Sequence, residues 1–218
     1  MRIALDGPAG AGKSTVARTI AQKLNLLYLD TGAMYRAAAL YMLDHNITTE
    51  ETEKIAGALQ VMDLDVRYDD GVQRVFLGDE DVSLRIRRNA VSAAASAFSA
   101  LKPVRVYLVK KQQEIAKKYD CILDGRDIGT CVLPDAEFKF YLTADASERA
   151  RRRALELEQK GEHADVAVIQ KEIEQRDYND SHREISPLRQ AEDAILVDST
   201  HLSAEEVAET IIKTIKEG

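Results

Sequence analysis

An α/β fold with a parallel sheet covered on both faces is predicted by three features of the sequence. Short apolar runs alternate with longer segments of helical periodicity, and a glycine-rich loop, Gly7 to Ser14, separates the first run from the first helical segment. The one departure from this alternation, about residues 63–84, has the apolar/polar alternation of antiparallel strands.

The elements follow in order. Met1, Ile3, Ala4 and Leu5 form a short buried strand, and Val16, Ile20 and Leu24 mark one face of a helix over residues 14–24. Residues 26–29 form a second strand leading into a helix over 33–43. A further helix begins near Thr48, where Thr48 and Glu51 suit a capping box and Ile55, Leu59 and Met62 share a face. Residues 64–68 and 72–77 alternate around Asp69, Asp70 and Gly71 as a hairpin, joined by a third short strand near 81–83. Helices then cover 85–98 and 103–118, the latter opening on Pro103. Strands at 121–123 and 138–142, charged helices at 147–160 and 164–180, a strand at 194–197 and a helix at 203–215 complete the chain. Ser203 and Glu206 supply the last capping box.

At 218 residues, with 45% hydrophobic composition, the chain is expected to bury its core as a single domain with small insertions. Asp6 and the glycine loop interrupt the first apolar run, so no secretory signal is expected, no segment reaches the length of a membrane span, and the expected compartment is the cytoplasm. Cys121 and Cys131 lie outside any CxxC or His/Cys cluster and read as reduced structural thiols. A net charge of −7 argues against nucleic acid as a partner but not against a small anion held by a few arginines. With every apolar face assigned to the core, a monomer is expected.

The segment Gly7, Pro8, Ala9, Gly10, Ala11, Gly12, Lys13, Ser14 fits GxxxxGK(S/T), and Thr15 continues it into the helix. Its glycines permit positive φ and close approach to an anion, while the helix N-terminus adds a positive dipole end. Lys13 then reaches the outer phosphates of a nucleoside triphosphate, and the Ser14 hydroxyl completes the shell of a Mg²⁺ ion.

Four polar constellations stand at ends of elements. Asp30 to Arg36, DTGAMYR, follows the second strand, in the position where open α/β sheets bind ligands. DGRDIGT, Asp124 to Thr130, follows another strand; Asp124 resembles an acidic Mg²⁺-shell partner, although a plain Asp/Gly turn has the same composition. Arg149, Arg151, Arg152 and Arg153 form a cationic run whose default reading is a solvated helix face. Arg176, Asp180 and Arg183, spaced four and three apart, fall on one helical side together with Asp177 nearby, an arrangement that a surface ion-pair ladder would share.

Taken together, GPAGAGKST, DTGAMYR, the β insertion, DGRDIGT, and Gln175, Arg176, Asp177 followed by Ser186, Pro187, Leu188 resemble bacterial cytidylate kinases over essentially the whole chain. The resemblance implies a nucleoside monophosphate kinase fold: a five-stranded parallel sheet flanked by helices, a monophosphate-binding region at about 31–100 enlarged by the insertion at about 63–84, and a helical lid at about 147–163. It implies ATP-dependent phosphorylation of CMP and dCMP with Mg²⁺, and no tightly bound metal or organic cofactor. Arg36, Arg126 and Arg183 would hold the acceptor phosphate. Arg176 and Asp180 would approach the ribose, and Ser96, Arg105 and Asp127 would read the cytosine, with Thr31 and Tyr35 lining the same pocket. Lys13, Arg126, Arg153 and Arg183 would act on the transferring group. In the lid, Arg149 and Arg153 would reach the phosphates and Arg152 would stack on adenine. Two other functions fit parts of the pattern: a kinase of the same fold for UMP, AMP or shikimate, and a nucleotide-hydrolysing switch, although no NKxD-like guanine-reading motif occurs.

Overall fold

A computed structural model describes residues 1–159, 161 and 163–217. Lys160, where the sequence places the end of the charged helix, lies outside the described residues, as do Glu162 in the expected lid and Gly218 at the end of the chain. The chain forms two compact units, Met1–Leu27 with Asp120–Gly218, and Tyr28–Tyr119.

The first unit is organised on strand β1 (Arg2–Asp6), whose Ile3, Ala4 and Leu5 are fully buried, as expected for a strand covered on both faces. Helix α1 (Lys13–Leu24) follows directly after the glycine loop and ends on Asn25 in the left-handed conformation. Strand β2 (Leu27–Asp30) begins at the last residue of this segment. Beyond the second unit come β6 (Cys121–Gly125), β7 (Phe138–Thr143), α6 (Ala146–Gln159), α7 (Val166–His182), β8 (Ile195–Asp198) and α8 (Ala204–Glu217). The five strands form one sheet in the order β2-β6-β1-β7-β8. Ile3 pairs in parallel with Ile122 on one side and Phe138 on the other. Each neighbour of β1 is therefore distant in sequence, as parallel pairing requires. The capping box of α8 forms as the sequence predicts: the Ser203 N–H donates to Glu206 Oε2 (2.8 Å) and the Glu206 N–H to Ser203 Oγ (3.3 Å).

The second unit holds α2 (Thr31–Asp44), α3 (Thr52–Val61), β3 (Leu64–Asp69), β4 (Val72–Leu77), β5 (Glu80–Asp81), α4 (Asn89–Phe98) and α5 (Lys102–Ala116). Strands β3, β4 and β5 make a separate antiparallel sheet. Asp69 pairs with Val72 across a two-residue turn in which Asp70 and Gly71 both have positive φ (49° and 76°), the conformation of an Asp-Gly hairpin.

Three of the boundaries that differ from the sequence reading have a local cause. Helix α3 begins at Thr52 rather than near Thr48, because Glu51 Oε2 accepts the Thr48 N–H (2.9 Å) to close a separate turn before the helix. Strand β5 ends at Asp81, since Ser83 Oγ accepts the Val75 N–H (2.9 Å) and Asp81 Oδ1 the Ser83 N–H (2.9 Å), replacing ladder bonds with side-chain bonds. The segment at 85–98 is split into a 3-10 turn, Arg85–Arg87, and α4, because Arg88 is extended (φ −66°, ψ 142°). Among the described residues no helix is long and apolar enough to cross a membrane.

Candidate functional site

The strand–loop–helix segment turns sharply between β1 and α1. Gly7, Gly10 and Gly12 all have positive φ (150°, 75° and 88°). At Gly7 a side chain is barred by space as well as by conformation: a Cβ there would stand 2.0 Å from the Leu142 carbonyl oxygen. Lys13, at the N-terminus of α1, is buried and donates from Nζ to the Pro8 carbonyl (2.7 Å). Burial and the charge of Arg126 push its pKa well below the usual lysine range, with Asp124 pulling the other way. Ser14 Oγ donates to Asp124 Oδ2 (2.8 Å), which joins the loop to the end of β6. These are hard oxygen donors, the kind a Mg²⁺ ion accepts directly or through water. Among the described residues no group of three or more His, Cys, Asp or Glu has metal-site geometry.

DGRDIGT is more than a polar turn. Asp6, at the end of β1, is buried and accepts the N–H groups of Ile128 (2.8 Å) and Gly129 (2.7 Å), fixing the loop after β6 from the residue that precedes Gly7. Burial raises the Asp6 carboxyl to about 6, with the charge of Asp127 adding to the rise and the two N–H donors and Lys13 opposing it. Because the folded value exceeds the ordinary carboxylate value, the folded state binds a proton first as the pH falls. Relative to Asp6→Asn, wild-type stability should therefore rise by roughly 3 kcal/mol at most between pH 6 and pH 4, and stay level above pH 6. Urea midpoints of the two proteins across this range measure the effect, and a difference independent of pH would refute it.

The loop presents Arg126 and Asp127 toward the helix that carries the fourth constellation. Arg126 Nε donates to Asp180 Oδ2 (2.8 Å), and Arg183 pairs with Asp127 at 3.3 Å, both side chains of the latter pair being less than a tenth exposed. Arg183 does not lie on the helical face that its spacing predicts. Helix α7 stops at His182, Arg183 is extended (φ −64°, ψ 143°), and its Nε donates to the Ser186 carbonyl (2.5 Å) across the following turn. Arg176 contributes to the field at Lys13. Thus Lys13, Ser14, Asp124, Arg126, Asp127, Arg176, Asp180 and Arg183 all belong to the first unit and are linked by contact or field.

The arginine run on α6 is not one solvated face. Arg149 is buried, donating from Nε to the Ala144 carbonyl (2.8 Å) and from NH1 to the Ala9 carbonyl (2.8 Å) and Asp177 Oδ2 (2.6 Å). Arg152 is bound by Glu148 (2.9 Å) and the Ser199 carbonyl (2.5 Å). Arg153, more exposed, pairs with Glu156 at 3.0 Å, and Arg151 pairs with Glu148 at 2.7 Å. Two residues given no role by the sequence reading therefore matter: Asp6 and Asp177. Asp177 stands in the fourth constellation without a role of its own, and Asp6 is marked only by its place beside Gly7.

Within the second unit, Asp30 caps α2 by accepting the Ala33 N–H (2.8 Å) and pairs with Arg36 at 3.0 Å. Thr31 and Arg105 are buried. The Arg105 guanidinium lies 5.6 Å from the Tyr35 ring centre, and its NH1 donates to the Ser99 carbonyl (3.3 Å), while Ser99 Oγ donates to the Ser96 carbonyl (2.8 Å). Tyr35, Arg105 and the Ser96–Ser99 turn are thus brought together, while Thr31 and Arg36 share the start of α2.

Comparison with known proteins is in keeping with this geometry. A cytidylate kinase from Caldicellulosiruptor saccharolyticus is 52% identical over 213 residues, covering 98% of this chain and 94% of that protein. One from Lactobacillus johnsonii is 47% identical over 216 residues, covering 99% and 94%. Among solved structures, an uncharacterized protein from Eubacterium ventriosum aligns over 100% of this chain and 99% of its own with a TM-score of 0.57 at 13% identity. A shikimate kinase from Bacteroides thetaiotaomicron aligns over 100% and 97% with a TM-score of 0.50 at 14% identity, a likeness of fold alone. The cytidylate kinase family model matches residues 3–217, and with relatives near half identity along its whole length the chain belongs to the cytidylate kinase family.

Proposed function

We propose that this chain transfers the γ-phosphoryl group of ATP to CMP and dCMP, giving ADP with CDP or dCDP. The observation that carries the reading, beyond family membership, is the joining of the Lys13 loop to Asp124, Arg126, Asp180 and the Arg183–Asp127 pair within one unit. Such a set has cations for a donor triphosphate and further cations for a second anion.

The chemistry asks little else of the protein. The attacking group is already a phosphate oxygen, so no general base is required, and catalysis is alignment plus neutralisation of charge on the transferring group. Lys13 and the loop from Gly7 to Thr15 are assigned to the donor phosphates, through N–H groups other than that of Ala9, which Asp177 accepts, and of Pro8, which has none. Arg126 and Arg183 in the first unit, and Arg36 in the second, are assigned to the acceptor phosphate, where a planar guanidinium makes paired hydrogen bonds. Each of these arginines is paired with a carboxylate: Arg126 with Asp180, Arg183 with Asp127 and Arg36 with Asp30. Mg²⁺, held by Ser14 and Asp124 directly or through water, would neutralise donor charge. Arg149 and Arg153 are the residues assigned to the phosphates, and Arg152 to adenine, within a lid at about 147–163 whose closure would exclude water as a competing acceptor. Arg149 and Arg152 have protein carbonyls among their present partners.

Arg176 and Asp180 are assigned to the ribose. Asp127 in the first unit, and Ser96 and Arg105 in the second with Thr31 and Tyr35, are assigned to cytosine. Cytosine offers an amino donor at N4 and an acceptor at N3, which suit a carboxylate and an arginine; uracil reverses both polarities. We further propose a monomer of the cytoplasm acting on free nucleotides rather than nucleic acid or a membrane, with its acidic net charge of −7 in support.

An acceptor panel tests the function. ADP release from Mg·ATP should be strongly stimulated by CMP and dCMP, and UMP should be less efficient by roughly 5- to 150-fold per mismatched polar group. Equal efficiency with UMP would overturn the base assignment. No stimulation by CMP, dCMP, UMP, AMP or shikimate would overturn the kinase reading itself.

A further inference from the structure

Both backbone polar groups of Ala9, the third residue of the phosphate loop, are taken by a single ion pair. Asp177 Oδ1 accepts the Ala9 N–H at 3.1 Å, and Arg149 NH1 donates to the Ala9 carbonyl at 2.8 Å. The two side chains meet at 2.6 Å, with Arg149 only 7% and Asp177 21% exposed. The next loop residue is equally close to these helices: a Cβ on Gly10 would stand 3.3 Å from Arg149 Cβ and 3.7 Å from Ile173 Cδ1. Ala150, Ala154, Ile169 and Ile173 already pack α6 against α7 as an apolar seam. An ion pair needed only to fasten those helices to each other would have no reason to bind the N–H and the carbonyl of one loop residue as well.

We propose that Asp177 is a positioning residue of the donor site: through Arg149 and directly, it holds the loop at Ala9 in the curvature that receives the donor phosphates. Asp177 and Asp180 are three residues apart on α7 and so lie on one side of it. The same helix that holds the loop at Ala9 therefore also holds Arg126 through Asp180. Rotation or translation of α7 shifts the donor loop and the Arg126 guanidinium together. This deepens the kinase reading, and rests on it only for the identity of the donor.

The test measures ADP binding with Mg²⁺ and no acceptor, by calorimetric titration of the full chain. Asp177→Asn, which keeps the side-chain shape but removes the charge facing Arg149, should weaken ADP roughly 10- to 100-fold, the scale of a misplaced binding group. Arg149→Lys should weaken it similarly, and the double variant should be no worse than either single, because both break one clamp. Ile169→Val, which loosens the α6–α7 seam without touching Ala9, should bind ADP as wild type does, and thermal melts establish that each protein is folded. Wild-type affinity in Asp177→Asn, equal weakening in Ile169→Val, or fully multiplicative losses in the double variant would each overturn the proposal. Failure of the wild type to phosphorylate CMP would instead overturn the assigned activity and leave the ADP result standing.

Discussion

Replacing Lys13 by methionine is expected to lower kcat for CMP phosphorylation by roughly 10²- to 10³-fold, the loss that follows removal of one preorganised charge-stabilising donor. The same substitution should leave the thermal midpoint unchanged or raise it. Lys13 is buried, has the Pro8 carbonyl as its hydrogen-bond partner, and its charge is disfavoured by desolvation and by Arg126. An unliganded protein therefore bears the cost of that ammonium, and a triphosphate supplies the anionic partner that relieves it. Methionine keeps much of the apolar stem and removes the charge. Steady-state kinetics and a melting curve on one preparation separate the two effects. Turnover within tenfold of wild type would show that Lys13 does not act on the transferring phosphoryl group, and a sharply lowered midpoint would show that its charge stabilises the fold.

The second large effect is on folding. Gly7→Ala should cost at least about 4 kcal/mol, because the added methyl would lie 2.0 Å from the Leu142 carbonyl oxygen in β7. Neither party can yield cheaply. Gly7 follows directly on β1, and Leu142 pairs with Val197 in the interior of the same sheet. A positive φ of 150° adds conformational strain for alanine. Urea unfolding should show an early midpoint or no cooperative transition, whereas a wild-type midpoint would mean that the loop re-forms with different backbone geometry.

Features governed by local periodicity and local hydrogen bonding were legible in the sequence. The glycine loop between strand and helix, the Asp-Gly hairpin and the Ser203–Glu206 capping box all depend on residues within a few positions of each other. The Thr48–Glu51 pair shows the limit of that logic, for the hydrogen bond forms yet closes a turn instead of opening a helix. Arg183 is a similar case: helical spacing put it beside Arg176 and Asp180, but the helix ends one residue earlier and the side chain turns to Asp127. What stayed hidden was long-range polar satisfaction. Asp6 serves N–H groups 122 and 123 residues away, and Arg149 reaches Asp177 across 28 residues. Composition marked Arg149 as one of four surface-like arginines, and only the packing of α6 and α7 on the loop assigns it to the interior.

The position of β1 in the sheet also sets a schedule for synthesis. Its neighbours are β6 and β7, so Ile3 finds its first strand partner, Ile122, 119 residues later. At about 5 to 20 residues per second, a ribosome takes roughly 6 to 24 s to make that stretch. Throughout that interval β1, and the phosphate loop attached to it, must wait without a strand partner, while residues 28–119 are continuous and, apart from β2, which pairs with β6, form a compact unit of their own once Tyr119 has emerged. The segment assigned to the donor phosphates is thus made well before the strands that fix it in the sheet, and it is this segment that a nascent-chain chaperone would have reason to shield.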